Sequence, residues 1–229
     1  LLLLLLLLLF YLFFLYLIFH CEWYLSGKVF TFPEETDTAH VILLPSRQEF
    51  KAVTVCFRSF TDLHREHSLF SLSTASSFNE FLVFKSLNEE LNLHVKGNFK
   101  KFNVLDYKIN MWHSICSTWN STSGIGQLWL NGNPSNRKFI SSGVDINGPV
   151  KIVLGQDQDA FGGGFDSEQS LVGMLTDVHM WDHVLSPCAI HRYTDELNYT
   201  PGNVLSWSAL DFEIKGRVLI EERQRICYN

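Results

Sequence analysis

From residue 28 onward, the apolar residues of this chain recur with a period of two, in short segments broken by turns. Successive side chains on a strand point to opposite faces, so this pattern builds sheets rather than one face of a helix. Lys28-Val-Phe-Thr-Phe-Pro33 sets Val29 and Thr31 against Phe30 and Phe32, and Leu91, Leu93 and Val95 alternate strictly with Asn92, His94 and Lys96. Ala52-Val-Thr-Val-Cys-Phe57 and Lys151-Ile-Val-Leu-Gly155 read as buried strands. Cys116-Ser-Thr-Trp119 and Gly126-Gln-Leu-Trp-Leu130 flank a Ser/Gly turn and read as a hairpin, with a tight turn following at Asn131-Gly132. Many short strands separated by turn signals predict an all-β, two-sheet β-sandwich of jelly-roll, lectin-like form. Its core takes Trp119, Trp129, Trp181 and Trp207. One helix interrupts the pattern near the C-terminal third. Ser186 caps it, Pro187 suits its first position, Cys188 to Leu197 holds no breaker, and Pro201-Gly202 ends it. His179 and His183 are four apart, but the segment reads as a strand ending at Trp181, which argues against a helical metal pair.

Leu1 to Phe19 is uninterruptedly apolar, with nine leucines in succession. Residues 1–21 read as a secretory leader, with a retained membrane anchor as the alternative, and residues 22–229 as one domain. No Gly/Ser- or Pro-rich linker divides that domain. Five cysteines are present, Cys21, Cys56, Cys116, Cys188 and Cys227. Loss of Cys21 with the leader leaves four, an even set suited to an oxidising compartment. Two sequons, at Asn120 and Asn198, fit an exported, glycosylated chain. The formal net charge is −6 and no basic stripe occurs, so nothing in the sequence provides a nucleic-acid site.

The segment that carries chemistry runs Leu154-Gly-Gln-Asp-Gln-Asp-Ala-Phe-Gly-Gly-Gly-Phe-Asp-Ser-Glu-Gln-Ser170. Asp157, Asp159 and Asp166 crowd near Gln158, Glu168 and Gln169. Clustered carboxylates repel unless a cation or protons compensate, and calcium takes six to eight oxygen ligands of these kinds. The three glycines let the loop fold back, so that Asp166 and Gln169 meet Asp157 and Asp159. Part of an EF-hand spacing is mimicked, but Phe161 stands where an oxygen ligand belongs and strands flank the loop.

This loop resembles the calcium loop of the short pentraxins, the group of C-reactive protein and serum amyloid P component. Lys28-Val-Phe-Thr-Phe-Pro33, Thr54-Val-Cys56-Phe57, Ile115-Cys-Ser-Thr-Trp-Asn-Ser121, Met180-Trp-Asp-His-Val-Leu-Ser-Pro187 and Asn203-Val-Leu-Ser-Trp207-Ser-Ala-Leu210 agree, in order, over roughly residues 28–215. One signature position departs, with His113 one residue early and Ser114 where the histidine belongs. The resemblance implies a secreted pattern-recognition protein of innate immunity, of the acute-phase group, assembled as a cyclic homo-oligomer, most simply a pentamer. It implies two Ca2+ ions per subunit on one face, which engage phosphate-bearing or acidic saccharide ligands on cell or microbial surfaces.

Residue by residue, the resemblance assigns Asp157, the Gln158 main-chain carbonyl, Asp159, Asp166 and Gln169 to the loop ligands and Asn79 to an earlier loop. Phe78 replaces the usual Asp, leaving the first calcium one carboxylate short, and Asp157 and Asp166 stand where a longer Glu is common. Phe84 is either a core residue or the apolar wall beside the calcium face. Counting without gaps from Asn79, the acid that would meet a choline ammonium is replaced by Phe99, with Glu89 or Glu90 as substitutes if the loop is shorter. Phosphocholine and phosphoethanolamine are therefore expected to bind alike. Cys56 is expected to pair with Cys116, leaving Cys188 for Cys227 unless Cys21 survives and competes. An enzyme reading would need two carboxyls set for acid and base or nucleophile roles, and no strand carries such a run. The remaining alternative, if Leu1–Phe19 is retained, is a membrane-anchored adhesion or receptor ectodomain.

Overall fold

The computed structural model describes residues 25–87, 89–104 and 106–224. Two antiparallel sheets enclose one apolar core. The first contains β1 (Lys28–Phe32), β3 (Ala52–Phe60), β8 (His113–Asn120), β9 (Ile125–Leu130), β10 (Asn133–Pro134), β11 (Lys138–Phe139), β13 (Gly173–Trp181) and β15 (Leu219–Glu222). It runs in the order β10-β9-β8-β3-β13-β1-β15, with β11 also on β9. The second contains β2 (His40–Leu43), β4 (His67–Thr74), β5 (Ser77–Lys85), β6 (Glu90–Val95), β7 (Asn98–Asn103), β12 (Val150–Leu154) and β14 (Phe212–Lys215), in the order β14-β2-β12-β4-β5-β6-β7. β1 to β4 and β11 to β15 alternate between the two sheets, while β4 to β7 and β8 to β11 each stay within one, in keeping with the expected jelly-roll sandwich. The β7 edge carries exposed Lys100 and Lys101, which discourage pairing with another chain.

The alternation decides what each face does. On β3, Val53, Val55 and Phe57 enter the core between the sheets, so Thr54, Cys56 and Arg58 face outward. On β8, Ile115 and Trp119 enter it, leaving Ser114, Cys116 and Thr118 outside. This outer face is nevertheless buried, because the helix α1 (Pro187–Thr194) packs over it. Cys56, Cys116, Trp129, Trp181, Ile190 and Tyr193 form a second apolar cluster there. The expected Cys56–Cys116 disulfide lies within that cluster, between residues directly opposite each other. Trp119, Trp129, Trp181 and Trp207 are all buried, the second and third of them under α1 rather than between the sheets.

The hairpin β8–β9 and the tight turn after it form as expected; Asn131 and Gly132 both take positive φ, the signature of a two-residue hairpin turn. The helix starts as expected, with the Ser186 hydroxyl accepting from Ala189 N at 3.2 Å and Pro187 in the first turn. It is shorter than expected, ending at Thr194 rather than continuing through Leu197. Leu197 N donates to Arg192 O and Glu196 N to Tyr193 O, a Schellman closure with Glu196 at φ 55° in the place glycine usually takes. His179 lies on strand β13, which ends at Trp181, so it shares no helical face with His183. The leader reading, Cys21 and Cys227 lie outside the described residues. Among the described residues Cys188 is exposed and without a disulfide partner, and no helix is long and apolar enough to cross a membrane.

Candidate functional site: an oxygen-lined loop on the second sheet

On β4, Phe70 and Leu72 enter the core, so Ser71 and Ser73 face away from it. Both are fully buried, because the loop between β12 and β13 lies over them. Gln158 anchors it. Its Oε1 accepts from the Ser73 hydroxyl at 2.6 Å and from Gly162 N at 3.0 Å, and its Nε2 donates to Ser71 O and Lys151 O. Leu171 N donates to Gly155 O and closes the loop's base; Ala160 and Gly163 exchange two backbone bonds and close its tip. Gly164, at φ 74°, packs so tightly on the returning chain that an added Cβ would lie 2.9 Å from Ala160 N and 3.2 Å from Asp159 Cβ. The glycines thus bring the Asp166 arm back against the Asp159 arm. A 3-10 turn, Ser167–Gln169, follows, with Asp166 Oδ1 accepting from Glu168 N at 3.0 Å. Strands flank the loop and its one helical turn is this 3-10 turn, which rules out an EF-hand.

Among the described residues the loop and the start of β5 hold five buried acceptor oxygens without a donor, on Asn79, Glu80, Gln156, Asp157 and Gln169. Buried acceptors are seldom left unpaired, and each such oxygen costs about 1–3 kcal/mol. Burial, reinforced by neighbouring Asp159, pushes the Asp157 carboxyl up to about 7. Carboxylate, amide and carbonyl oxygens are the donor types a hard cation takes together. Among the described residues no three His, Cys, Asp or Glu side chains converge, so any such ion relies on amide and main-chain oxygens as well. Asp159 and Asp166 are exposed.

Sequence reasoning passed over Glu80. It is 1% exposed, its Oε1 takes the Lys96 ammonium at 2.5 Å, and its Oε2 has no donor. It stands two residues from Phe78, in the stretch of β5 where the pairing with β4 shifts register. The signal was an acid next to Asn79; only its burial makes it informative.

Beside the loop the outer face continues as two rows. Ser71, Leu82, His94 and Phe99 lie side by side across four strands, and Ser68, Phe84, Asn92 and Lys101 form the next row. Phe84 is buried, but it faces outward and belongs to neither apolar cluster. Phe99 is 48% exposed and stacked on His94, with ring centroids 5.0 Å apart. Glu90 Oε2 faces the Lys101 ammonium at 3.2 Å, and Glu89 sits in the β5–β6 turn at φ 58°.

A jelly-roll sandwich of this topology, with an oxygen-lined loop over its second sheet, places the chain in the lectin-like β-sandwich fold class. The Pentaxin family model matches residues 28–222, and the chain belongs to that family. It is 42% identical over 202 residues to mucosal pentraxin of Bos taurus, covering 87% of this chain and 89% of the relative. It is likewise 42% identical to serum amyloid P-component of Homo sapiens, over 86% of this chain and 88% of the relative. The native heptameric SAP-like pentraxin from Limulus polyphemus shares the fold, with a TM-score of 0.80 at 23% identity over 86% of this chain and 95% of that one.

Proposed function

We propose that this chain is a secreted, calcium-dependent recognition protein of innate immunity that binds phosphate-bearing or acidic saccharide ligands. The observation that carries the reading is that three of the donorless buried oxygens belong to Asn79, Asp157 and Gln169, residues the family resemblance assigns to calcium. With the Gln158 carbonyl, Asp159 and Asp166 they would hold the ion or ion pair. We read Glu80, buried beside Asn79 with one oxygen unpaired, as the replacement for the carboxylate missing at Phe78, its charge partly offset by Lys96. A bound calcium supplies positive charge and open positions for an anionic oxygen of the ligand. The rest falls to this chain's own side chains. Phe84 forms an apolar wall, and Phe99 and His94 offer a flat ring surface.

Phe99 stands where the choline-facing acid would, and Glu90, one of the two candidate substitutes, is engaged by Lys101. The phosphate, not the choline ammonium, therefore dominates recognition. Phosphocholine and phosphoethanolamine bind within about tenfold of each other, a gap of ~1.4 kcal/mol at most. Like its heptameric relative, the chain is read as forming a closed ring, here most simply of five copies. The test is calorimetry with calcium, followed by competition on a phosphocholine surface. No heat at millimolar calcium, binding that persists in chelator, or elution by choline alone would each refute the reading.

A further inference from the structure

The two sequons, far apart in sequence, are held in the same way. At Asn120-Ser121-Thr122 the middle residue is pinned into the fold. Ser121 is buried, its hydroxyl donating to Asp145 Oδ1 at 2.5 Å and its N–H to Lys51 O at 2.9 Å. Asn120 is half-buried, with Oδ1 accepting from Thr122 N at 2.9 Å and Ser123 N at 3.2 Å, and Thr122 is exposed. At Asn198-Tyr199-Thr200 the middle residue is again the anchor. The Tyr199 hydroxyl bonds His179 Nε2 at 3.1 Å and its ring packs edge-on against Tyr193, while Asn198 and Thr200 are exposed.

Both acceptors also lie on one side of the sandwich. Asn120 follows Cys116 and Thr118 on the outward face of β8, and it lines a groove with Gln127, Arg137 and Pro187. Asn198 lines a second groove with Ser186, Cys188 and Arg192. The two grooves share Val184 and Leu185, and Val184 is a 45% exposed aliphatic side chain. The oxygen-lined loop sits on the outer face of the other sheet.

We propose that Asn120 and Asn198 both carry N-linked glycans, and that together these cover the Val184–Pro187 approach to α1 while leaving the loop face bare. In each transfer the Asn Nδ2 forms a bond to C1 of a lipid-linked oligosaccharide. The C1–O bond to the lipid diphosphate breaks with its electron pair leaving on oxygen, and the amide gives up one proton. Transfer precedes folding, so the fold need only accommodate the product. Asn198 is exposed, and Asn120 is half-buried at the edge of a groove with its Oδ1, not its Nδ2, engaged. A hydrated saccharide beside Val184 also screens an aliphatic patch that would otherwise face solvent. The inference rests on export of the chain, as read from its apolar start.

The full chain is expressed in mammalian cells and recovered from medium and from cell lysate. The expected result is secreted protein with glycans at both sites, removed in two steps by peptide-N-glycosidase, which leaves each acceptor as aspartate. Thr122→Ala and Thr200→Ala should each delete one glycan; the first keeps the Asn120 turn, whose donors are backbone N–H groups. Hydroxyl-radical footprinting of the folded protein should then show Val184 and Leu185 oxidised several-fold more after deglycosylation. Secreted protein unmodified at either site overturns the inference while export stands. Unmodified protein retained in cells overturns both. Two glycans with an unchanged footprint overturn the covering of α1.

Discussion

The Ser73 hydroxyl donates to Gln158 Oε1 across 2.6 Å, and through that contact β4 holds the loop that carries the candidate cation ligands. Gln158 is fully buried, and its amide also serves Gly162, Ser71 and Lys151. Gln158→Ala keeps the main-chain carbonyl but strands those partners. The expected cost is on the order of 3 kcal/mol in thermal or urea unfolding, since buried unpaired polar groups cost about 1–3 kcal/mol each and do not add fully. Calcium affinity should fall at least tenfold and the loop should become protease-sensitive. An unchanged midpoint together with an unchanged calcium titration would show that the loop does not depend on this anchor.

Asp157→Asn separates the fold from the ion. Without calcium, the wild-type carboxylate is buried beside Asp159, which disfavours its charged form. Removing the charge should raise the melting temperature in chelator. In calcium the order should invert, because a ligand present at 100 times its Kd stabilises by about 2.7 kcal/mol and the variant forgoes that gain. A variant less stable than wild type in chelator, or one that gains the same stability from calcium, would count against Asp157 as a ligand.

The strands were legible because period-two patterning reports burial directly, as at Leu91, Leu93 and Val95, all fully buried. The helix start was equally legible, since Ser186 and Pro187 act locally. Its end was not. Glu196 takes the left-handed position without being glycine, held by ion pairs to Arg58 and Arg223, while Arg58 also donates to Tyr193 O and Thr194 O. Those arginines come from β3 and the C-terminal segment, so the stop is a tertiary effect. The site divides in the same way. The loop's oxygens could be named from their crowding, but the orphaned state of Asn79 Oδ1 and Glu80 Oε2 depends on how β5 is covered.

Cys56 and Cys116 face each other across β3 and β8 with Cα atoms 4.1 Å apart. The bridge closes a loop of 60 residues, for which the chain-entropy estimate is about 4 kcal/mol. It lies beneath α1, with Trp129, Trp181 and Ile190 around it. Replacing both cysteines by alanine should therefore lower stability by about that amount and loosen α1 in hydrogen exchange. Non-reducing peptide maps of the wild type should recover the two half-cystines in one linked pair. Free thiols at both positions, or a double variant as stable as wild type, would contradict this.

His179 is expected to make the protein acid-sensitive through a defined contact. Gly202 N donates to its Nδ1 at 3.2 Å, so the neutral ring keeps its proton on Nε2, which faces the Tyr199 hydroxyl at 3.1 Å. Protonation would set an N–H against the Gly202 N–H, in a site packed by Trp181 and Tyr193. Burial first, and then the Arg58 guanidinium, push the imidazole down to about 4. Because the folded value lies below the unfolded one, the unfolded chain binds the proton more readily, and stability present above pH ~6.5 drains away as pH falls toward 4. The contribution is on the order of 3 kcal/mol, since each tenfold change in proton affinity corresponds to about 1.36 kcal/mol. His67, fully buried and also pushed down to about 4, adds to the same window. His179→Gln offers an acceptor to Gly202 and a donor to Tyr199 but does not titrate. Melting temperatures from pH 7 to 4.5, measured in chelator for both proteins, should fall less steeply for the variant, and parallel curves would remove His179 from the account.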